Sequence, residues 1–376
     1  MSNPTPFASE SRGPLIVESR GPFHFECGRV LPSIRIAYES WGELNAAGDN
    51  AVLVAHALTG EAHAASGGSS GDLRPGWWEG LIGEGKALDP RHHFIVCPNL
   101  LGSCYGTSGP SEADPATGRP LGPRFPVATT RDMVRAQKLL LDHLGVKELD
   151  LVLGGSLGGM VAWEWAVSHP DFVRRAAPIA GTPQGSPWMI ALNEVARRAI
   201  VDDPEWRGGL YTGRGPERGL ALARMVAMIS YRTHGLFEER FGRELTDPTP
   251  GRELDFANRF QVESYLRHQG RKLVDRFDAR SYITLSRAMD LHDVARGRGC
   301  LDEALGRIRA DVVVVGIDSD VLYWPRELEG AVRTLQALGQ PARYEEIHSS
   351  YGHDAFLVEC GQLNRIVGDF LGGTRR

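Results

Sequence analysis

The stretch Glu148–Ala166, ELDLVLGGSLGGMVAWEWA, decides the fold. Leu149 to Leu153 form an apolar run of the length of a buried parallel strand, and Met160 to Ala166 have a helical pattern. Gly154-Gly155-Ser156-Leu157-Gly158 lies between them. This is the G-x-S-x-G nucleophile-elbow pattern in a strand–turn–helix context. A serine in such a turn sits at strained backbone angles while strand and helix pass closely, so Gly154, Gly158 and Gly159 supply the small neighbours required. The hydroxyl then stands above the carboxyl end of the strand, and the first amides of the helix point at any oxyanion formed beside it. Gly67-Gly68-Ser69-Ser70-Gly71 has the same spacing. No apolar strand precedes it and Asp72-Leu73-Arg74-Pro75 follows, so it reads as a loop.

Outward from the elbow, Ala51–Ala55 and Phe94–Cys97 read as buried strands, and Phe172–Ala180 as another. Thr130 is the expected N-cap of an amphipathic helix over Arg131–Leu144, which Gly145 closes. Phe23–Cys27 and Ile34–Ser40 predict an opening antiparallel hairpin, preceded by a loose arm from Met1 to about Pro14. From Pro183 to Leu305 the pattern is helical, with segments at Met189–Ile200, Gly219–Tyr231, Phe256–Gln269 and Ser281–His292. Asp311–Gly316 resumes the sheet, followed by a helix over Arg326–Leu338, the strand Tyr344–Ile347 and a closing helix over Ala355–Leu371.

Strands alternating with helices imply an α/β fold, a mostly parallel sheet with helices on both faces and ligands beyond the strands' carboxyl ends. The expected organisation is a core in two parts, residues 1–182 and 306–376, interrupted by a helical cap over residues 183–305 that covers the serine.

A serine hydroxyl needs a base to take its proton, and the base needs an acid to hold its tautomer. In an elbow fold the chain order is serine, acid, histidine. Asp318 and Asp320 both follow the Asp311–Gly316 strand, and periodicity does not choose between them. Of the later histidines, His353 in Ser350-Tyr351-Gly352-His353-Asp354 is favoured over His348. A base must project from a loop above the strand ends, and His348 adjoins a strand edge. The backbone N–H groups of Leu58 and Leu157 are the expected oxyanion donors, with the His56 ring structural. Trp163 and Trp165 are expected in the core.

The 376 residues carry a formal charge of -5 with no basic run, which argues against a nucleic-acid partner. Five widely spaced cysteines without a C-x-x-C favour reduced thiols over disulfides or zinc, and no H-E-x-x-H suggests a metal. No signal-peptide pattern or membrane-length apolar run is found, so a cytoplasmic, membrane-free protein is expected.

Taken together, five segments resemble the homoserine O-acetyltransferases, α/β-hydrolase-fold acyltransferases of methionine biosynthesis. They are HALTG at 56–60 with GWWEGLIGEGKALD at 76–89; NLLGSCYGTSGP at 99–110; FPVATTRDMVRAQKLLLDHLGV at 125–146; GGSLGGM at 154–160; and VVVVGIDSDVLY with SSYGHDAFL near the end. The resemblance implies the α/β-hydrolase fold with an inserted cap, Ser156 as nucleophile, Asp320 rather than Asp318 as acid and His353 as base. It also implies Arg224 and Asp354 as substrate-binding residues. By the same resemblance the partners are L-homoserine and acetyl-CoA, the latter a co-substrate with no permanently bound cofactor, and the assembly is a homodimer through the cap helices. Leu157 stands where the family commonly has methionine, and Ser103 where many relatives have glycine. Rival expectations are succinyl-CoA as donor, serine as acceptor, a plain esterase, or a silent binding protein of the same fold.

Overall fold

The computed structural model describes residues 13–114 and 117–372; the expected arm over Met1–Pro14 lies almost wholly outside them. In chain order the sheet elements are β1 (Leu15–Glu18), β2 (Phe23–His24), β3 (Val30–Leu31), β4 (Arg35–Trp41), β5 (Ala51–Ala55) and β6 (Phe94–Pro98). Helix α1 (Thr130–Leu144), strand β7 (Leu149–Gly155), helix α2 (Leu157–Ser168) and strand β8 (Arg175–Ile179) follow. The chain then forms α3 (Pro187–Val201), α4 (Glu217–Tyr231), α5 (His234–Phe241), α6 (Gln261–Val274), α7 (Ala279–Asp290) and α8 (Leu301–Leu305) before it returns as β9 (Asp311–Ile317). Helix α9 (Pro325–Ala337), strand β10 (Ala342–Ile347), and helices α10 (Ala355–Val358) and α11 (Cys360–Gly372) close it.

Eight strands make one sheet in the order β1-β4-β6-β5-β7-β8-β9-β10, parallel from β6 to β10 and antiparallel at the β1 and β4 edge. Strand β7 is central and every one of its residues is buried. Both faces are covered, which explains why its sequence is an apolar run rather than an alternation. One apolar cluster, with α1, α2, Met133 and Trp163, lies on one face; the other, with Trp78, Phe356 and Leu363, lies on the opposite face.

Several boundaries differ from expectation. Phe23 pairs with Leu31, and the Ile34–Ser40 segment pairs with Leu15–Glu18, so the opening hairpin is β2–β3 and β4 belongs to the main sheet. Strand β1 has two exposed apolar residues, Leu15 and Ile16, and lacks the alternation that would reveal it. The cap of α1 is Thr129 rather than Thr130: its side chain accepts from Asp132 N while Asp132 returns the bond to the Thr129 amide. The segment from Phe256 is not helical before Gln261, where α6 starts after its N-cap Phe260, because Asp255 and Asn258 bond the local backbone instead. Helix α5 carries no long apolar stripe and escapes periodicity. The closing helix is two helices that meet at Glu359.

All six helices α3–α8 lie between β8 and β9, with α4 packed on α3 and α6. Helix α4 also packs against the 3-10 turn Gly352–Asp354. This contact brings the inserted helices to the carboxyl ends of β7, β9 and β10.

Candidate active site

Ser156 has φ 61° and ψ −122°, positive φ in a residue with a side chain. Such strain costs about 1–3 kcal/mol and persists only where the surroundings fix it. Close packing fixes it here. A Cβ on Gly158 would lie 2.0 Å from the Ala55 carbonyl oxygen, and one on Gly154 would lie 2.5 Å from the same atom. Helix α2 therefore starts directly on β5 and β7, and Ser156 is lifted clear of the β7 end. The glycine-rich loop at 67–71 forms turns and no elbow.

His353 sits in the turn after β10 and is 2% exposed. Its Nδ1 is 2.7 Å from Asp320 Oδ2. The other Asp320 oxygen accepts from Leu322 N at 2.7 Å and Tyr323 N at 3.0 Å, so the carboxylate is fixed by three donors. A carboxylate accepts only, so Nδ1 carries a proton, and in the neutral ring Nε2 presents its lone pair. That Nε2 is buried without a hydrogen-bond partner. Asp318 instead meets the exposed His348 at 3.1 Å. The two aspartates thus take different histidines because the chain turns after Ile317, which periodicity does not encode.

Ser156 and His353 line one cavity of about 160 Å³, together with Leu58, Trp77, Arg224 and Asp354. No Ser156 Oγ–His353 hydrogen bond is formed. The Tyr323 hydroxyl interacts with the Ser156 side chain and lies 3.2 Å from Met189 Sδ. Burial pushes that phenol well above its ordinary pKa, so it stays protonated. The imidazole is boxed by the rings of Tyr231, Tyr323 and Phe356 at 5.2–5.5 Å.

The Leu58 and Leu157 amides make no intramolecular hydrogen bond among the described residues. Leu157 is the first residue of α2, where orphan amides point outward. The Leu58 loop is held from below by His56. Its Nδ1 is 2.8 Å from the Ala57 carbonyl and its Nε2 accepts from Leu100 N at 2.9 Å. Full burial lowers the His56 pKa to about 4, so the ring is neutral and structural as expected. From above, Arg276 donates to the Thr59 carbonyl at 2.7 Å.

Arg224, from α4, stands over the Tyr231 ring at 5.7 Å and has no carboxylate partner among the described residues. Asp354, across the cavity, pairs with Arg232 at 3.0 Å. Arg232 Nε and Nη1 are buried and unpartnered, while the guanidinium lies over Tyr351. Ser103 is buried with an unpartnered hydroxyl and does not line the cavity.

Sequence reasoning missed Tyr323, Arg232 and Arg276. Tyr323 was legible as the residue three after the acid; Arg276 carries no local signal, since it is separated from the serine loops by over a hundred residues. All five cysteines are free. Among the described residues no cluster suited to a metal ion is present, and no helix is long and apolar enough to cross a membrane.

The family model described as the alpha/beta hydrolase fold matches residues 50–359. The chain is 52% identical over 349 residues to a homoserine O-acetyltransferase of Moorella thermoacetica, covering 93% of each protein. The crystal structure of homoserine O-acetyltransferase from Bacillus anthracis superposes with a TM-score of 0.88 at 30% identity, covering 95% of this chain and 98% of that one. A crystal structure of esterase E22 superposes with a TM-score of 0.86 at 27% identity, covering 95% and 100%. By fold and by sequence over nearly its whole length, this chain belongs to the homoserine O-acetyltransferase family of α/β-hydrolase-fold proteins.

Proposed function

We propose that the protein transfers an acetyl group from acetyl-CoA to the hydroxyl of L-homoserine, through an acyl-serine intermediate. The observation that carries this is the cavity composition: a serine at an elbow, an imidazole with a free nitrogen, the guanidinium groups of Arg224 and Arg276 and the Asp354 carboxylate share a single small space. Ser156 Oγ gives its proton to His353 Nε2 and attacks the thioester carbon. The C–S bond breaks and the sulfur leaves with that proton as CoA. The homoserine hydroxyl then gives its proton to His353, attacks the acyl carbon and displaces Ser156 Oγ, which is reprotonated. Asp320 stabilises the imidazolium formed in each half, and the amides of Leu58 and Leu157 hold the oxyanion.

Homoserine is a zwitterion. A guanidinium at Arg224 suits its carboxylate and the Asp354 carboxylate suits its ammonium, which leaves the side-chain hydroxyl to reach the acyl carbon. Orientation of this kind raises the acceptor's effective concentration over that of water. An esterase needs neither charge. No permanently bound cofactor enters the scheme.

The division into a core of residues 1–182 and 306–376 and a cap of residues 183–305 is the reading that matches the run of helices between β8 and β9. A cytoplasmic homodimer through the cap is part of the same proposal, supported by the exposed Leu222 and Ile229 on α4.

Stopped-flow measurement of free CoA after mixing with acetyl-CoA alone tests the function. A burst equal to the enzyme concentration, followed by turnover only on addition of homoserine, is expected. Acetyl-CoA consumption as fast without homoserine as with it would make the protein a hydrolase. Faster use of succinyl-CoA or serine would reassign donor or acceptor.

A further inference from the structure

The catalytic cavity, at about 160 Å³, has no room for a nucleotide, so the far end of a CoA donor must lie outside it. Two further concavities share lining residues in series with it. A cleft of about 460 Å³ shares Arg276 with the cavity and runs past Cys104, Tyr211 and Phe277. A groove of about 570 Å³ then shares Glu217 and Val274 with that cleft, between the start of α4 and the end of α6.

The groove is basic on a chain of formal charge -5: Arg218, His268, Arg271 and Lys272 line it against the acids Glu217 and Asp275. Glu217 is directed to Arg214, at 3.6 Å. Arg218, Arg271 and Lys272 form no ion pair among the described residues, whereas most arginines of the core do. Arg276, at the junction of cavity and cleft, is bonded only to neutral oxygens, those of Thr59 and Tyr105. Unpaired exposed cations that converge on a concavity are suited to phosphates.

Arg224, in the cavity, and Arg218, in the groove, are six residues apart on α4, about 9 Å along the helix axis. Lys272 is in the last turn of α6 and Arg276 in the turn that follows it, four residues on.

We propose that these three concavities form the acyl-donor track: thioester at Ser156, pantetheine arm past Arg276 through the cleft, and the phosphates of the adenosine end at Arg218, Arg271 and Lys272. The assignment rests on the CoA-dependent function proposed above. Leu222 and Ile229 do not line the groove, so a second copy seated on them borders the track.

The test is the double variant Arg218→Glu/Arg271→Glu against a control with the same charge change elsewhere, Arg309→Glu/Arg333→Glu. Loss of charge-assisted phosphate contacts should lower kcat/KM for acetyl-CoA by about tenfold per cation. The KM for homoserine and the hydrolysis of p-nitrophenyl acetate, a donor without phosphates, should match the control. Acetyl-CoA kcat/KM within about twofold of the control would overturn the track while leaving the transferase intact. Wild-type enzyme that hydrolyses p-nitrophenyl acetate and releases no CoA from acetyl-CoA would overturn both.

Discussion

Asp354 and Arg232 form an ion pair 3.0 Å long in which the carboxylate faces the catalytic cavity and the guanidinium is largely buried behind it. The charge proposed to receive the substrate ammonium is thus held by a second charge that does not line the cavity. Removing either half has consequences for the other, because an unpaired buried charge costs several kcal/mol.

Asp354→Asn should therefore raise the KM for homoserine by about a hundredfold, with the CoA burst retained. Arg224→Ala should raise it similarly, and Arg224→Lys should restore only part, since a lysine lacks the planar fork. Steady-state kinetics with homoserine varied, alongside burst amplitude, checks both; an unchanged KM in each variant would remove the acceptor assignment.

Ser156→Ala should abolish the burst and lower kcat by about a thousandfold or more, while Asp320→Asn should lower kcat by about 10³–10⁴ because His353 loses its tautomer. Asp318→Asn, whose carboxylate meets His348 and the Ser349 amide but not His353, should leave kcat near wild type. A large loss in Asp318→Asn with activity retained in Asp320→Asn would reverse the assignment.

Gly158→Ala places a methyl 2.0 Å from the Ala55 carbonyl oxygen, backbone that cannot swing aside. The variant should lose about 2–3 kcal/mol of stability, seen as a lower urea midpoint, and lose activity through displacement of the elbow. Wild-type stability with full activity would show that α2 does not start on β5 as described.

Burial lowers the pKa of both His56 and His292 to about 4. Below about pH 6.5 the unfolded chain binds protons at these rings that the folded chain does not, so stability is lost as pH falls from there toward 4. Each ring accounts for about 2 kcal/mol at pH 5. Glu164 adds to the loss lower down: Arg298 and Arg131 outweigh the burial that raises its pKa, and the lowered value means stability present above about pH 4.5 is lost below it. Thermal midpoints from pH 7.5 to 5 should fall, and fall less in His292→Gln if that variant folds; a flat profile would contradict the burial of both rings.

The sequence by itself determined what is local. The elbow from Leu149 to Gly159, the alternation of strand and helix and the α1 boundaries to within one residue all follow from backbone sterics, periodicity and turn chemistry acting within a few residues. Family resemblance reached further and pointed to Asp320, Arg224 and Asp354. Tertiary structure alone decided which histidine each aspartate meets, since the Ile317 turn and the Gly352 turn come together only through the pairing of β9 with β10. It also decided that Arg232 stands behind Asp354 and that Arg276 joins one cavity to the next. Such contacts link residues far apart in the chain, and no periodicity records them, because their energy comes from packing and charge in three dimensions rather than from any preference of the local backbone.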